Sequence, residues 1–409
     1  MITIRDVRTI LTAPYGINLI VVKVETSEPG LYGLGCATFT QRHHAVAAAI
    51  EQHLKPLLLG RDAGRIEELF RLMMVNGYWR NGPVLNNAIS GVDIALWDIK
   101  AKRADMPLYD ILGGKYRDAA AIYRHADGRE PKAVEDSVRR FAEMGVRHIR
   151  VQTGGYGGQL RAETAGYGGG SFKSNPPDGA LDGAYYDPRR YTRSAIDALT
   201  HARSTFGDSI ELLHDVHERL YPAEAVEFAK ELEPLRLFFL EDLLSPEDID
   251  WFDNVRAVCA TPLAMGELFN SPREWTPLIT GRKIDFIRMH ISQMGGLTPA
   301  KKVAAMAELH GVRTAWHGPG DVSPVGHAAN VHLDLACPNF GIQEWCGFKD
   351  EIQDVFPGTP VQRGGYVYVS EAPGLGVDID EKAAAKFPCV DHVIEWTQAR
   401  LPDGSLGRP

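Results

Sequence analysis

Asp215, Glu241 and Glu267 follow one another at steps of 26 residues, each at the end of an apolar run: Leu212-Leu213-His214-Asp215, Phe239-Leu240-Glu241 and Met265-Gly266-Glu267. A strand, a helix and two loops of a parallel α/β barrel take about that many residues. Strand ends on one rim of a barrel converge, so the three carboxylates should point at a common centre. Acids so placed repel and raise each other's pKa. A hard divalent cation relieves the repulsion, and an all-oxygen donor set favours Mg²⁺, one per subunit, over Zn²⁺.

The same period carries further polar residues. His125 and Asp127 end the first apolar run, and Arg150 and Gln152 the second. His217 stands two residues beyond Asp215, on the same face of an extended chain. Arg288 and His290, then His317, then Glu344 close the ring, with 29 residues from 288 to 317 and 27 from 317 to 344. This set suits removal of a proton next to a carboxylate. A metal that binds the substrate carboxylate stabilises the enediolate, a base takes the α-proton, and an acid protonates a hydroxyl leaving from the β-carbon. His217, beside Asp215, is placed to be that acid.

Eight short apolar segments would position these residues: 120–123, 146–152, 210–214, 237–241, 262–266, 284–289, 312–316 and 340–343. Helical periodicity fills most of the intervals, so the expected fold is α/β, a (β/α)₈-type barrel over 119–361. The interval 154–183 is dense in glycine and lacks periodicity, as a lid over the rim would be. Ahead of the barrel, 1–118 reads as an α+β capping domain. A strand over 18–26 has its hairpin partner in 30–37. Helical spacing follows at Val46, Ile50, Leu54 and Leu57, then at Ile66, Leu69, Phe70 and Met73. A long helix runs from Asn86 to Arg103. Residues 362–409 read as a tail returning to the capping domain.

Composition narrows the function. A net charge of −9 disfavours nucleic acid and anionic membranes as partners. The expected partner is a small anionic substrate, met by the positive charge of a bound metal. Five scattered cysteines with no CxxC pair suggest free thiols in a reducing compartment. No apolar run approaches membrane-spanning length. Met1-Ile2-Thr3-Ile4-Arg5 leads directly into strand-like sequence rather than a signal peptide, so the expected location is the cytoplasm.

The sequence resembles the enolase superfamily. Asn87-Ala88-Ile89-Ser90-Gly91-Val92-Asp93-Ile94-Ala95-Leu96-Trp97-Asp98 looks like its capping-domain signature, and the three acids match its metal ligands. Within it the chain is most similar to the mannonate dehydratase family, whose members include proteins described as galactonate dehydratase-like or starvation-sensing. The residues that carry this are His148-Ile149-Arg150-Val151-Gln152-Thr153-Gly154, Leu213-His214-Asp215-Val216-His217, Trp316-His317-Gly318, Val322-Ser323-Pro324-Val325 and Pro338-Asn339-Phe340-Gly341-Ile342-Gln343-Glu344.

The resemblance implies roles. Tyr167, paired with Arg150, would be the general base, with Tyr156 as the competing candidate. An adjacent arginine favours the phenolate. His217 would be the general acid. Arg288, His317 and Glu344 would bind substrate, with Asn86, His125 and Asp321 as further contacts. The family reaction removes water from a sugar acid, D-mannonate or D-gluconate, to leave a 2-keto-3-deoxy sugar acid, and relatives are commonly homo-oligomers. Pro319 stands where efficient mannonate-specific relatives carry alanine, and in the family it accompanies weak mannonate activity or gluconate use. Two alternatives stay open. Epimerisation would need a second base, for which His317 is the candidate. A divergent member would bind or sense an acid with little turnover.

Overall fold

In the computed structural model the described residues are 1–128, 130–153, 158–159, 177–181, 185–391 and 395–408. They form two compact units. One comprises Met1–Ala121, Gly266–Thr280 and Ile287–Asp391, the other Ile122–Met265, Gly281–Phe286 and His392–Pro409.

The first unit opens with three antiparallel strands, Ile4–Thr12, Leu19–Thr26 and Tyr32–Cys36, paired in that order. Pairings such as Val7 with Val24 and Val21 with Cys36 place β-branched residues across from apolar partners. The helix Pro83–Arg103 packs against this sheet. It begins three residues before the expected Asn86. Pro83 occupies the first turn, where its missing N–H costs nothing, after Gly82 at φ +95°. Contact between helix and sheet is backbone to backbone: a Cβ on Gly35 would overlap the Gly91 carbonyl oxygen, and one on Gly33 that of Ala95. That approach buries every residue from Asn86 to Ile99.

The helix expected over the forties and fifties changes pitch midway. His43–Ala48 is α-helical, Ala49–Leu54 is a π-helix, and Lys55–Leu58 returns to α. Lys55 N–H bonds to the Ile50 carbonyl five residues back. The extra residue advances the buried stripe, so Leu58 is buried where regular spacing pointed to Leu57.

Two helix acids tie this unit together. Asp93 accepts from Thr298 Oγ1 at 2.5 Å and from Thr298 N at 2.8 Å, which caps the helix Leu297–Leu309. Asp98 accepts from Leu34 N at 3.0 Å, Leu375 N at 2.8 Å and Lys102 Nζ at 2.7 Å. The later chain is fastened to the first strands by Glu381 on Arg8 and Lys23, and by Ala13 N on the Phe387 carbonyl. Further on, Ala315 N bonds to Ile287 O, His317 N to Met289 O and Gly341 N to Thr314 O.

The second unit is a run of parallel strands with helices between them. Residues 122–128 pair with His148–Thr153, that strand with Glu211–Asp215, then Phe239–Glu241 and Leu263–Met265. The connecting helices are Pro131–Glu143, Pro188–Phe206, Pro222–Leu232 and Phe252–Arg256. The strand residues Leu212, Leu213, Phe239, Leu240, Leu263 and Ala264 are all buried, as expected for parallel strands covered on both faces. The last described residues return to this unit: Arg400 bridges Tyr185, and Arg408 Nη1 lies 2.5 Å from Asp248 Oδ2. Among the described residues no helix is long and apolar enough to cross a membrane.

Candidate active site

The strand register of the second unit sets its polar cluster. His125 pairs with Arg150, Arg150 with Leu213, and Asp215 with Glu241. Side chains of adjacent strands at matched register meet over the strand ends. Arg150 Nη1 lies 2.9 Å from Asp215 Oδ2 and 3.1 Å from Glu241 Oε1, while Nη2 is 3.1 Å from His125 Nδ1. Asp215 and Glu241 are fully buried and Arg150 nearly so. Gln152 donates to the Asp215 carbonyl at 3.1 Å.

The chain then leaves the strand by an unusual path. His217 and Glu218 have φ of +56° and +61°, and Asp242 +42°. Two successive non-glycine residues in the left-handed region carry a strain that the surroundings must hold. They are held by His217 N on Asp215 Oδ1 at 2.7 Å and by Glu218 N on the Asp242 carbonyl at 2.8 Å. The turn sets His217, half-buried, directly after the carboxylate it follows.

Two members of this cluster were not expected from the sequence. Asp242 shares the neighbourhood: Asp215, Glu241 and Asp242 each present a carboxylate oxygen within 4.8 Å of the others, all buried. Tyr123 donates its hydroxyl to Glu241 Oε2 at 3.1 Å. Strand alternation could have found Tyr123, two residues before His125, but a buried aromatic reads as core. Behind the acids, His214 is clamped between the Tyr191 hydroxyl at 2.7 Å and the Val151 carbonyl at 2.8 Å. Burial holds it neutral, with its pKa pushed down to about 4. A buried set of hard oxygen donors of this size fits a divalent cation such as Mg²⁺.

The first unit carries a second polar cluster. Arg288 Nη1 lies 2.7 Å from Glu267 Oε2, and Nη2 lies 2.6 Å from Glu344 Oε2. Gly318 N donates to that same Glu344 oxygen at 2.9 Å. His317 Nε2 is 3.2 Å from Glu267 Oε2 and 3.9 Å from Glu344 Oε2. Burial alone would depress the His317 pKa, but the carboxylates of Glu267 and Glu344 outweigh it and lift it to about 9. His290, buried beside His317 with ring centroids 5.1 Å apart, is instead held neutral, first by burial and then by the charge of His317. Asp321 joins these two histidines, and burial raises its pKa.

Asn86 is buried in the first unit, and both amide hydrogens are spent on backbone carbonyls, Asn270 at 2.7 Å and Gln293 at 2.8 Å. Tyr167 and Tyr156 lie outside the described residues. All five cysteines are free thiols, and among the described residues none lies within a candidate cluster of ligands.

Residues 3–113 match the mandelate racemase / muconate lactonizing enzyme N-terminal domain, and 133–383 match the family described as enolase C-terminal domain-like. A D-galactonate dehydratase family member of Enterococcus gallinarum is 54% identical, over 100% of this chain and 99% of its own. Another D-galactonate dehydratase family member, from Pantoea ananatis, is 53% identical over 99% of each chain. A crystal structure of an enolase from Pantoea ananatis, with bound D-gluconate and Mg, superposes with a TM-score of 0.97 at 52% identity and covers 100% of both chains. The fold is therefore an α+β capping domain with a (β/α)₈ barrel.

Proposed function

The chain belongs to the enolase superfamily, and from that membership we propose that it is an Mg²⁺-dependent sugar-acid dehydratase acting on D-gluconate, with D-mannonate as the second substrate to consider. The observation that carries this is the buried carboxylate cluster of Asp215, Glu241 and Asp242 against Arg150, at the strand ends where barrel enzymes do their chemistry. The solved relative with D-gluconate and Mg, alike over the full chain, supports both the metal and the substrate class. The motifs around Arg150, Asp215, His317 and Glu344 support a place in the mannonate dehydratase family, beside relatives named for D-galactonate.

Asp215, Glu241 and Glu267 hold the cation in this reading. A bound Mg²⁺ supplies positive charge that stabilises the substrate carboxylate as negative charge develops on it. Tyr167 removes the α-proton, and the positive charge of Arg150 favours its phenolate form. His217 gives a proton to the β-hydroxyl, which departs as water. Electrons of the broken C–H bond become the new carbon–carbon double bond, and the enol so formed ketonises to the 2-keto-3-deoxy acid. Arg288, His317 and Glu344 bind the substrate, with His125, Asp321 and Asn86 as weaker contacts. Residues 1–118 act as the capping domain and 119–361 as the barrel, in a cytoplasmic homo-oligomer; of the expected tail 362–409, the part to 391 lies in the first unit and 395–408 in the second.

The test is turnover on a panel of sugar acids with Mg²⁺, including D-gluconate, D-mannonate and D-galactonate, read as 2-keto-3-deoxy product. Product from D-gluconate, lost in His217→Asn, supports the reading. Absence of product from every acid, with the protein folded and Mg²⁺ bound, overturns it in favour of a binding or sensing role.

A further inference from the structure

Glu241 is gripped from two sides by donors of different kinds. Arg150 meets Oε1 at 3.1 Å and also reaches Asp215. A guanidinium and a metal cation are both positive, so they compete for the same carboxylate charge. The Tyr123 hydroxyl, on Oε2 at 3.1 Å, is a neutral donor and does not compete in this way. Its place is fixed by packing rather than by charge. Tyr123 is fully buried, its ring is edge-on to Phe239 at 5.8 Å and tilted at 33° to His125 at 5.8 Å. Phe239 is itself two residues before Glu241 on the same strand. In the strand order of this unit, two strands lie between that of Tyr123 and that of Glu241. The hydroxyl therefore reaches past both neighbours to Glu241 Oε2.

We propose that Tyr123 is a positioning residue for the metal: by holding Glu241 through Oε2 it keeps that carboxylate ordered beside Asp215 for a cation to bind. This rests on the reading of Asp215 and Glu241 as metal ligands given above. A carboxylate free to rotate must be ordered each time a cation binds, and one already held is not. Outer partners of this kind change metal affinity by roughly 10- to 100-fold when removed.

The experiment is Mg²⁺ titration of the full chain by calorimetry, in the wild type, Tyr123→Phe and Glu241→Gln, each with a melting curve in chelator. Phenylalanine keeps the ring and its two aromatic contacts and removes only the donor. The expected result is an Mg²⁺ dissociation constant about tenfold higher in Tyr123→Phe, with the metal-free melting temperature close to that of the wild type. An unchanged dissociation constant in Tyr123→Phe, while Glu241→Gln binds weakly, overturns the role of Tyr123 and leaves the metal site standing. A lowered metal-free melting temperature with unchanged affinity makes Tyr123 merely structural and overturns it as well. Full affinity in Glu241→Gln removes Glu241 from the ligands, and the proposal falls with it.

Discussion

Asp93, in the middle of the helix Pro83–Arg103, holds Thr298 through both carboxylate oxygens, and Thr298 is the second residue of a helix some two hundred positions later in the chain. Trp97, one turn on from Asp93, donates its indole N–H to the same threonine hydroxyl at 2.9 Å. Asp93 and Trp97, within the signature-like stretch 87–98, therefore have a mechanical role: one helix face caps another helix.

This carboxyl gives a pH-dependent stability. Burial lifts its pKa from the ordinary 3.8 to about 7, against the opposing pull of the Thr298 bonds. Between about pH 4 and pH 7 the folded chain keeps a proton that the unfolded chain has lost. Stability contributed by this group is therefore greatest below about pH 4 and falls as pH rises to about 7, by a few kcal/mol at most. Asp93→Asn, which is uncharged at every pH, should flatten that part of the profile; urea unfolding from pH 4 to 8 measures it.

Binding of Mg²⁺ should stabilise the folded chain. At one hundred times its dissociation constant a ligand specific to the folded state contributes about 2.7 kcal/mol. Asp215→Asn should lose most of this increment in a thermal melt with and without Mg²⁺. An undiminished increment in Asp215→Asn would remove that residue from the metal site.

If His217 is the acid of the proposed dehydration, its loss should separate the two halves of that reaction. His217→Asn should lower turnover by roughly 10²- to 10⁴-fold, the usual range for a general acid. Exchange of the α-proton with solvent deuterium should continue, since Arg150 and Tyr167 are untouched. Proton NMR of the substrate in D₂O reads both events in one sample.

Close packing makes a further prediction. Gly35→Ala would drive a methyl into the Gly91 carbonyl, so the helix must move off the sheet. Overpacking of this kind costs about 1–3 kcal/mol. A lowered urea midpoint with no change in the Mg²⁺ dissociation constant is the expected outcome.

Much of the active-site cluster was legible because strand ends repeat at a fixed interval. Counting residues placed Arg150, Asp215, Glu241, Glu267, Arg288 and Glu344 at successive strand ends; the ion pairs of Arg150 with Asp215 and Glu241, and of Arg288 with Glu267 and Glu344, come from the structure. Asp242 and Tyr123 were missed for opposite reasons. Asp242 stands next to an acid already counted, and strand alternation would turn it away, but a φ of +42° turns the chain there. Tyr123 looks like any core aromatic until its hydroxyl is seen to have a carboxylate partner. The long helix starts three residues ahead of the apolar spacing because Pro83 suits a first helical turn. Residue type alone could not show that the Asn86 amide hydrogens serve two backbone carbonyls.

The π-helix Ala49–Leu54 bears on how this chain is compared with others. Its turn holds one residue more than an α-turn of similar reach, and the helix on either side resumes in phase with the core. Removing a single residue within it would restore a continuous α-helix and return the next leucine to the regular spacing. Length can thus differ by one between relatives in this stretch without any change of fold. An alignment that opens a one-residue gap there marks a gained or lost turn of pitch, and the residues on both sides still correspond.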